Sequence, residues 1–355
     1  MMRPPLPLLL TLLSAAPLAA QDTPALAVIK SGSEAEFRGL HVAGDVIWAS
    51  GSGGRYAVST DGGASWRADS IPGAGGMFLV DVHGFGTAGS DARRAVVVAT
   101  RFEGGEARIY VTDDGGASWR QVWRLAHPDV FLDGLAFFDD RRGFAFSDPV
   151  DGAFLVLRTE DGGETWTRVD ALPPPLEGEA AFAASGTNAV ALASGHGWFA
   201  TGGGAAARVF GTGDFGITWS VAETPLPGGA SAGLFGIAFA DSLHGIAVGG
   251  DYREPQRAGP NLLRTTDGGV TWALAGSTEP PGVKYGVAWR GEWMVAPAPA
   301  GTSYSIDGGR TWRPLTSTSY NTAAFAADVT LWLAGVNGGL AKVTLPPAER
   351  DADRR

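Results

Sequence analysis

Short apolar runs separated by turn residues recur along the whole chain and predict β-strands rather than helices. In the clearest stretch, four such runs follow one another: FLDGLAFFD (131–139), RGFAFSD (142–148), FLVLRTEDGG (154–163) and TWTRVDA (165–171). The same order returns as LFGIAFAD (234–241), HGIAVGG (244–250), NLLRTTDGG (261–269) and TWALAG (271–276). Four strands therefore form the repeating element of the chain.

Six segments share one turn signature, and they place the repeat at intervals of 40 to 53 residues. The segments are STDGGASW (59–66), TDDGGASW (112–119), TEDGGETW (159–166), TGDFGITW (212–219), TTDGGVTW (265–272) and SIDGGRTW (305–312). Their aligned aspartates are Asp61, Asp114, Asp161, Asp214, Asp267 and Asp307. A repeat of this length is typical of the four-stranded blade of a β-propeller.

The Asp-Gly-Gly step explains why a tight turn is expected between the third and fourth strands. Glycine adopts positive φ without a Cβ clash, and the aspartate carboxylate can accept hydrogen bonds from backbone N–H groups of its own turn. The serine or threonine before the tryptophan can add a hydroxyl bond, and the tryptophan is expected to bury its ring between adjacent blades. The fourth turn departs from this pattern, because Phe215 stands at the first glycine position.

The last repeat has three strands of its own, and the start of the chain supplies a fourth. YNTAAFAAD (320–328), TLWLAGV (330–336) and LAKVTL (340–345) follow the sixth turn, whereas ALAVIK (25–30) belongs to no other blade. We expect residues 25–30 to be the outer strand of the seventh blade, which removes the free sheet edges. The sequence thus predicts an all-β fold: a seven-bladed β-propeller of four-stranded blades, closed by the N-terminal strand.

The six turns resemble the Asp box, or BNR repeat, of sialidases, of sortilin-type receptors and of the photosystem II stability/assembly factor family. The opening FRGLHVAGDVIWASGSGGRYAVSTDGGASW (37–66) is especially similar to the first blade of that last family. The Asp box indicates fold strongly and function weakly, because unrelated propellers share it. The resemblance to the assembly factors implies a lumenal or periplasmic protein that binds a protein or peptide partner during membrane-protein assembly.

The N-terminus has the pattern of a signal peptide over residues 1–20. Arg3 provides the positive charge, Leu6 to Leu13 form an apolar run too short to span a bilayer, and small residues lead to Ala20. An exported protein, periplasmic or secreted, is therefore expected, with an uncleaved N-terminal anchor as the alternative. Residues 21–347 are then a single propeller, not membrane-spanning after cleavage, and residues 348–355 form a charged tail.

The composition of the chain excludes several classes of site. Cysteine is absent, which removes disulfides, thiolate metal sites and a cysteine nucleophile. The formal net charge is −10 with scattered acidic residues, which argues against a nucleic-acid partner. Hydrophobic residues make up 45% of the chain, enough for a core held by packing alone. We expect a monomer without a cofactor.

The six aligned aspartates are interpreted as structural residues and not as metal ligands. They fall in six separate blades, so they cannot converge on one ion. None of the five histidines has His-x-x-x-His spacing, and His196, between two glycines, is typical of a turn. No metal site is therefore predicted.

A propeller carries binding loops on the face where its inner strands begin and where each second strand turns into the third. We expect binding on this channel face through Arg38, Asp133, Asp148, Glu179, His196, Asp251, Tyr252, Tyr285 and Asn321. The loops between second and third strands are expected to hold Asp148, His196, Asp251 and Tyr252. Arg38 is the strongest candidate, since a guanidinium near the axis can grip a carboxylate with two hydrogen bonds. The alternative is a water-filled channel whose polar lining is merely solvated.

The enzymatic alternative is a sialidase-like glycoside hydrolase, or a glycan-binding propeller. Such an enzyme needs an arginine cluster for a carboxylate, a Tyr/Glu nucleophile pair and an aspartic acid. The candidates are Arg38 in FRGL, the late tyrosines Tyr304 and Tyr320, and the mid-chain acid Glu179, but Ile-Pro is absent after Arg38. Convergence of three arginines in the central channel would distinguish the enzyme from the binding protein. Binding is preferred, and no catalytic residue is assigned.

Overall fold

The computed structural model describes residues 24–86, 93–102, 105–170, 172–328 and 330–345. The predicted signal peptide at 1–20 and the predicted tail at 348–355 lie outside these ranges. Within them, the regular structure consists of β-strands and one 3₁₀ turn at Ser52–Gly54. No described segment is a helix long and apolar enough to cross a bilayer. The prediction of an all-β fold is confirmed.

The described strands are short and follow one another closely along the chain. In order they are β1 (Ala25–Lys30), β2 (Phe37–Ala43), β3 (Val46–Gly51), β4 (Arg55–Ser59), β5 (Arg67–Ser70), β6 (Phe78–Gly84), β7 (Ala95–Arg101), β8 (Glu106–Thr112), β9 (Arg120–Ala126), β10 (Leu132–Phe137), β11 (Gly143–Val150), β12 (Ala153–Thr159), β13 (Thr167–Val169), β14 (Ala180–Ala181), β15 (Ala189–Ala191), β16 (Gly197–Gly202), β17 (Ala206–Thr212), β18 (Ser220–Pro227), β19 (Ala232–Phe239), β20 (Gly245–Asp251), β21 (Leu262–Thr265), β22 (Ala273–Gly276), β23 (Ala288–Arg290), β24 (Trp293–Ala296), β25 (Thr302–Ser305), β26 (Arg313–Thr316), β27 (Thr322–Phe325), β28 (Leu331–Ala334) and β29 (Gly339–Thr344).

Most of these strands form antiparallel groups of four. Five sheets have the orders β2-β3-β4-β5, β6-β7-β8-β9, β10-β11-β12-β13, β23-β24-β25-β26 and β1-β29-β28-β27. A nine-stranded sheet holds two more such groups, β15 to β18 and β19 to β22, joined where Gly202 pairs with Gly233; β14 also pairs with β16. We number these groups as units one to seven, in chain order from β2.

The fourth strand of each unit is its most exposed strand. In unit three every residue of β10 is buried, whereas Thr167 and Arg168 of the outer strand β13 are exposed. The strands β3 and β16 are likewise buried along their whole length. A strand covered on both faces needs continuous apolar or small residues, which is why the inner strands show little polar alternation.

The hydrophobic core lies between neighbouring units. Each buried cluster combines side chains of two consecutive units, as where Leu79 of unit two meets Trp48 of unit one. One cluster joins unit seven to unit one, with Trp332 and Phe37 among its members. Because every unit packs on both of its neighbours, core packing is distributed along the chain and not concentrated in one place.

The first strand pairs with the last. β1 lies antiparallel to β29 along its whole length. Leu26 and Ile29 pack against the clusters that contain unit seven. Just beyond the strand, the Ser31 hydroxyl donates a hydrogen bond to the Gly338 carbonyl at 2.8 Å. The N-terminal strand is therefore the outermost strand of this sheet.

The six aspartates of the repeated turns accept equivalent hydrogen bonds. Asp61 Oδ1 accepts from the Ser65 N–H at 2.8 Å, and Oδ2 accepts from the Ser65 hydroxyl at 2.5 Å. The Ser59 hydroxyl donates to Asp61 and accepts from the Gly63 N–H, a part of the turn that sequence analysis misses. The same bonds from the residue four places on are accepted by Asp114, Asp161, Asp214, Asp267 and Asp307.

The fourth turn keeps this geometry although Phe215 replaces a glycine. Phe215 has a φ of 60°, in the left-handed region that costs an L-residue about 1–2 kcal/mol. The centre of its ring lies 3.4 Å from the guanidinium carbon of Arg142 and 5.5 Å from the ring centre of Phe138. These contacts with unit three offset the backbone cost.

The tryptophan that ends each turn packs against the preceding unit. Trp66 lies edge-on to Trp332 of unit seven, with ring centroids 5.7 Å apart, and Trp219 lies edge-on to Phe144 of unit three at 5.0 Å. Gly63 shows why its turn needs glycine: its φ is 86°, and a Cβ there would stand 2.0 Å from the Trp332 ring. The repeated turns therefore set the contact between units as well as closing a hairpin.

We expect the hydrogen-bonded aspartates of the repeated turns to make the folded protein less stable in acid. Hydrogen bonds from Ser65, and then from Ser59, lower the pKa of Asp61 to about 2. A folded-state pKa below the ordinary 3.8 means that the carboxylate stabilises the fold above about pH 4 and loses this effect as the pH falls towards 2. In urea unfolding, Asp61→Asn should be less stable than the wild type near pH 6, and the difference should narrow between about pH 4 and pH 2. The exposed Asp45 provides the control substitution Asp45→Asn, and a difference that persists unchanged at pH 2 would contradict the role of the carboxylate.

Candidate functional site

The two ends of the units carry different features. The inner strand of each unit begins at one end, and the loop between its second and third strands returns to that end because neighbouring strands are antiparallel. The repeated Asp-Gly-Gly turns, between third and fourth strands, lie at the opposite end. We keep the name channel face for the first end and call the second the turn face.

Four inner strands place one extra residue near the channel face. The register shifts by one residue, as in a β-bulge, at Arg38 in β2, Val80 in β6, Asp133 in β10 and Phe235 in β19. A bulge re-aims its extra side chain and is common beside functional sites. Arg38 and Asp133 are predicted site residues, whereas sequence analysis misses Phe235.

A glycine follows three of these four bulged residues, and this pairing is the signal that could have revealed Phe235. The pairs are Arg38-Gly39, Asp133-Gly134 and Phe235-Gly236, and Tyr285-Gly286 has the same form. A Cβ on Gly236 would stand 2.8 Å from the Gly286 Cα, and one on Gly39 would stand 2.8 Å from the Asp81 Cα. The inner strands of neighbouring units thus approach to a distance that only glycine permits.

The segment 182–188, which we call the crossing segment, leaves the sheet of unit four and lies among the inner strands of other units. Its hydrogen bonds to them include Gly186 N–H to Arg38 O (2.9 Å), Asn188 Nδ2 to Asp133 O (2.9 Å), Ser185 Oγ to Tyr285 O (2.7 Å) and Ile237 N–H to Thr187 O (2.8 Å). Small residues permit this course, since a Cβ on Gly186 would stand 2.1 Å from Oδ1 of Asp81 in unit two. Polypeptide therefore occupies the centre of the channel face.

Arg38 lies at the channel face, but its guanidinium already has protein partners. Nε donates to Glu36 Oε1 at 3.0 Å, and Nη1 donates to the Ala183 carbonyl at 2.9 Å. The guanidinium carbon lies 4.7 Å from the centre of the Phe78 ring. Glu36 offsets the charge of Arg38, so a bound carboxylate would compete with Glu36 for the guanidinium.

On one side of Arg38, three phenylalanines follow one another across the channel face. Phe78 lies edge-on to Phe102 with ring centroids 5.6 Å apart, and Phe102 lies edge-on to Phe131 at 5.0 Å. Phe102 is 58% exposed. Phe131 is partly buried and Phe78 is buried, so the exposed Phe102 ring rests on two other rings. An exposed apolar surface of this kind, continuous with other rings, is characteristic of binding sites.

On the other side of Arg38, rings from units four, five and six pack together. Phe182 of the crossing segment stacks on Phe235 at 4.7 Å and lies edge-on to Tyr252 at 5.9 Å. Phe235 contacts Tyr285 at 5.9 Å. Burial raises the pKa of Tyr285, so its hydroxyl stays protonated at neutral pH. We call the seven rings on both sides the aromatic arc: Phe78, Phe102, Phe131, Phe182, Phe235, Tyr252 and Tyr285.

Asp133 and Asp148 form a pair of interacting carboxyl groups in unit three. Asp148 lies within β11 and not in the loop after it, and its Oδ1 accepts from the Ala181 N–H at 2.7 Å. Asp133 is fully buried, and among the described residues neither of its carboxylate oxygens has a hydrogen-bond partner. Burial raises the pKa of Asp148 to about 7, and burial with the charge of Asp148 raises the pKa of Asp133 well above its usual range. The pair therefore holds a proton at neutral pH.

The structure corrects the ligand-binding role expected of Glu179. Its side chain is fully buried in an ion pair with Arg208 of β17. Oε1 accepts from Arg208 Nε at 2.9 Å and from the Thr201 hydroxyl at 2.6 Å, and Oε2 accepts from the Leu176 N–H at 2.7 Å. With both oxygens engaged inside the protein, Glu179 presents none to a ligand on the channel face.

His196 also lies away from the expected site. It stands in the turn between β15 and β16, the first and second strands of unit four, and therefore on the turn face. The neighbouring Gly195 carbonyl accepts a hydrogen bond from the Phe215 N–H at 3.0 Å, beside the fourth repeated turn. The expectation fails because the crossing segment leaves the sheet, so the inner strand begins only at Ala189.

The remaining predicted residues lie at the channel face. Asp251 ends β20 and accepts a hydrogen bond from the Arg253 N–H at 2.9 Å, and Tyr252 begins the following loop. Asn321 precedes β27, but it is buried and donates from Nδ2 to the Phe37 carbonyl at 3.0 Å. Asn321 therefore joins unit seven to unit one, whereas Asp251 and Tyr252 remain accessible to a partner.

Three arginines converge on one carboxylate, but in the outer part of unit two. Arg101, Arg108 and Arg124 surround Glu106, at 3.7, 2.9 and 2.5 Å. Arg108 and Arg124 lie opposite each other on β8 and β9, the third and fourth strands. This cluster is not the central one that a sialidase-like site requires. In the described part of the chain, no three His, Asp or Glu side chains are grouped as a metal site needs.

A cavity of about 600 Å³ opens at the channel face between units two and three. Phe102 and Phe131 of the aromatic arc belong to its lining, and Asp148 contributes a carboxyl group. The other lining residues are Arg101, Gly105, Ala126, His127, Pro128, Asp129 and Val130. The aromatic arc thus ends in a cavity that has both apolar and charged walls.

Groups of four antiparallel strands, packed side by side with their inner strands together, define a protein of the β-propeller class. The solved structure of YCF48 bound to a D1 peptide matches with a TM-score of 0.64 and 15% sequence identity, over 92% of this chain and 100% of that one. YCF48 from Cyanidioschyzon merolae matches with a TM-score of 0.63 and 15% identity, over 90% and 98%. The WD40 β-propeller domain of Doa1 matches at 0.61 and 10% identity, over 92% and 98%.

At these identities the likeness shows the fold alone. No family model and no curated protein sequence matches the chain. The predicted resemblance to the assembly-factor family is therefore supported at the level of fold and not at the level of sequence family.

Proposed function

We propose that this protein is an exported, monomeric β-propeller that binds a partner protein by holding a peptide segment of it on the channel face. The proposed ring has seven blades, units one to seven, and is closed by β1. The pairing of β1 with β29 and the cluster between units seven and one support closure. The charge and apolar run of residues 1–20 support export.

The aromatic arc around Arg38 is the observation that carries this proposal. It brings rings from five units to one face. Phe102 and Tyr252 are 58% and 39% exposed, Phe131, Phe182 and Tyr285 are partly buried, and Phe78 and Phe235 are buried beneath them. Aromatic side chains provide large contact areas with few rotatable bonds and are enriched at the centres of protein interfaces. Arg38, in the middle of the arc, adds a charged donor that can fix the register of a bound chain.

The shape of the arc suits an extended peptide. Alternate side chains of an extended segment point to the same side, so several of them can contact successive rings at once. The propeller of similar fold, YCF48, has been solved with a D1 peptide bound. A glycosidase is less well supported, because Glu179 is sequestered by Arg208 and the arginine cluster at Glu106 lies away from the centre.

A peptide array tests the proposal. Overlapping peptides from the exported and membrane proteins of the host are probed with the wild type, and the retained peptides are titrated by fluorescence anisotropy. We expect Tyr252→Ala to raise the Kd by about tenfold or more, because Tyr252 is an exposed ring of the arc and truncating a tyrosine that a partner covers can cost more than about 1.4 kcal/mol. Asp251→Ala and Arg38→Ala are measured in parallel, each with its melting temperature.

Ile217→Ala is the matched control, because Ile217 is 55% exposed but lies in a repeated turn on the turn face. Its Kd should stay within about twofold of the wild-type value, as for most surface substitutions outside an interface. The proposal fails if no peptide is retained, or if all three channel-face variants fold and bind like the wild type. Weaker binding by Ile217→Ala alone would move the site to the turn face.

A further inference from the structure

The cavity between units two and three combines aromatic rings with carboxyl groups. Phe102 and Phe131 meet edge to face, with centroids 5.0 Å apart. Asp148 lies in the cavity lining, and its negative charge raises the pKa of the nearby Asp133 carboxyl. Aromatic faces and carboxylates are the two groups with which proteins hold an ammonium or guanidinium ion.

The basic residues of the lining are directed at other acidic groups. Arg101 Nε lies 3.7 Å from Glu106 Oε2, and His127 Nε2 lies 3.3 Å from Asp151 Oδ1. The only contact described for the Asp148 carboxyl is the neutral backbone N–H of Ala181. Within the described chain, therefore, the carboxyl pair has no cation of its own.

Burial of the Asp133–Asp148 pair lowers the stability of the fold, and a binding role would explain why the pair is present. A carboxyl buried without a hydrogen-bond partner, as Asp133 is, lowers stability, and such groups are rare in folded proteins. Burial favours the protonated form of both acids. A cation in the cavity would favour the ionised form, and the proton that the pair holds would be released.

We infer that this cavity binds a lysine or arginine side chain of the peptide held on the channel face, with its cation against Asp148 and its methylene groups along Phe102 and Phe131. The inference rests on the proposed function and adds a requirement to the partner. The bound segment carries a basic residue, placed beyond the apolar residues that contact the rest of the aromatic arc.

The test is a selection from a displayed library of random peptides, performed on the wild type and on Asp148→Asn. The wild type should select peptides with lysine or arginine at a fixed distance from apolar residues, and Asp148→Asn should not. In one selected peptide, replacing the basic residue by methionine should weaken binding to the wild type by about tenfold or more. The same replacement should weaken binding to Asp148→Asn much less, because the charge pair is already lost and only the contact of the cation with the rings remains.

Two further variants show whether a change in peptide binding comes from the cavity itself or from the loss of any surface carboxylate. Asp241→Asn removes an exposed carboxylate that pairs with His244 on the turn face, and it should select the same peptides as the wild type. Phe102→Leu keeps an apolar side chain but removes the ring, and it should weaken binding of the basic peptide severalfold. Phe102 is largely exposed, so this variant is expected to fold even if Asp148→Asn does not.

The outcomes distinguish this inference from the proposed function. Selected peptides without a basic preference would overturn the cation cavity and leave peptide binding in place. A methionine replacement that weakens binding equally to the wild type and to Asp148→Asn would also overturn the cavity. If the wild type selects no peptide, both the cavity and the proposed function are wrong.

Discussion

Removal of residues 25–30 should lower the melting temperature by about 10 °C or more, from a stability loss on the order of 5 kcal/mol. The deletion removes the strand partner of β29 and the packing of Leu26 and Ile29. It also uncovers one edge of β29, which carries the fully buried Leu340 and Val343. An unpaired strand edge promotes association between molecules, so the truncated protein should also aggregate on heating.

Two control proteins, also measured by calorimetry, show whether the fall in melting temperature is specific to the loss of β1. A truncation that ends just before Ala25 keeps all of β1 and should melt like the full chain. Val28→Thr changes a side chain that is 72% exposed and should also have little effect. If the protein without residues 25–30 melts within about 2 °C of its controls, β1 is not an essential part of unit seven, and the closed ring is refuted.

Arg208→Met should lower the free energy of unfolding by about 3–5 kcal/mol, the largest effect we expect from a single substitution. The side chain of Glu179 is fully buried and that of Arg208 is 6% exposed, so the substitution leaves a buried carboxylate without its cation. The substitution also removes a hydrogen bond that holds the chain ahead of the crossing segment, because Arg208 Nη2 donates to the Pro174 carbonyl at 2.9 Å. Urea unfolding followed by tryptophan fluorescence measures the difference.

The matched control is Arg257→Met, which breaks a pair whose members, Arg257 and Glu254, are 69% and 56% exposed. That substitution should cost no more than about 0.5 kcal/mol. The double variant Glu179→Gln/Arg208→Met should recover much of the lost stability, since it removes both buried charges. Equal effects of Arg208→Met and Arg257→Met would show that burial does not determine the strength of the first pair.

The strands and the repeated turns could be predicted because their causes are local. An Asp-Gly-Gly step between two apolar runs determines its own backbone and its own hydrogen bonds, as Asp61 and Ser65 show. The starts of the inner strands and the ends of the second strands were predictable for the same reason. The former brought Arg38 and Tyr285, and the latter brought Asp251 and Tyr252, to one face. Phe235 was not predicted as a site residue, because an apolar residue in an apolar strand cannot be told from a core residue until the register shift is known.

The crossing segment was not predictable, since nothing in its own sequence determines its place. Residues 182–188 contain alanine, serine, glycine and threonine, which also suit a strand or an ordinary turn. Their position depends on partners more than 40 residues away, such as Asp133 for Asn188. This single displacement accounts for the error at His196. Glu179 was misjudged for a similar reason, because its partner Arg208 lies on another strand.

The crossing segment also restricts how this protein can evolve. Propellers occur with four to eight blades, so duplication of a repeat of about 40–50 residues is a plausible event in such a chain. In the proposed closed ring, an inserted repeat would widen the centre and pull Arg38 O from Gly186 N–H and Tyr285 O from Ser185 Oγ at the same time. Each buried polar group left unpaired would cost about 1–3 kcal/mol. The crossing segment thus opposes any change in the number of repeats.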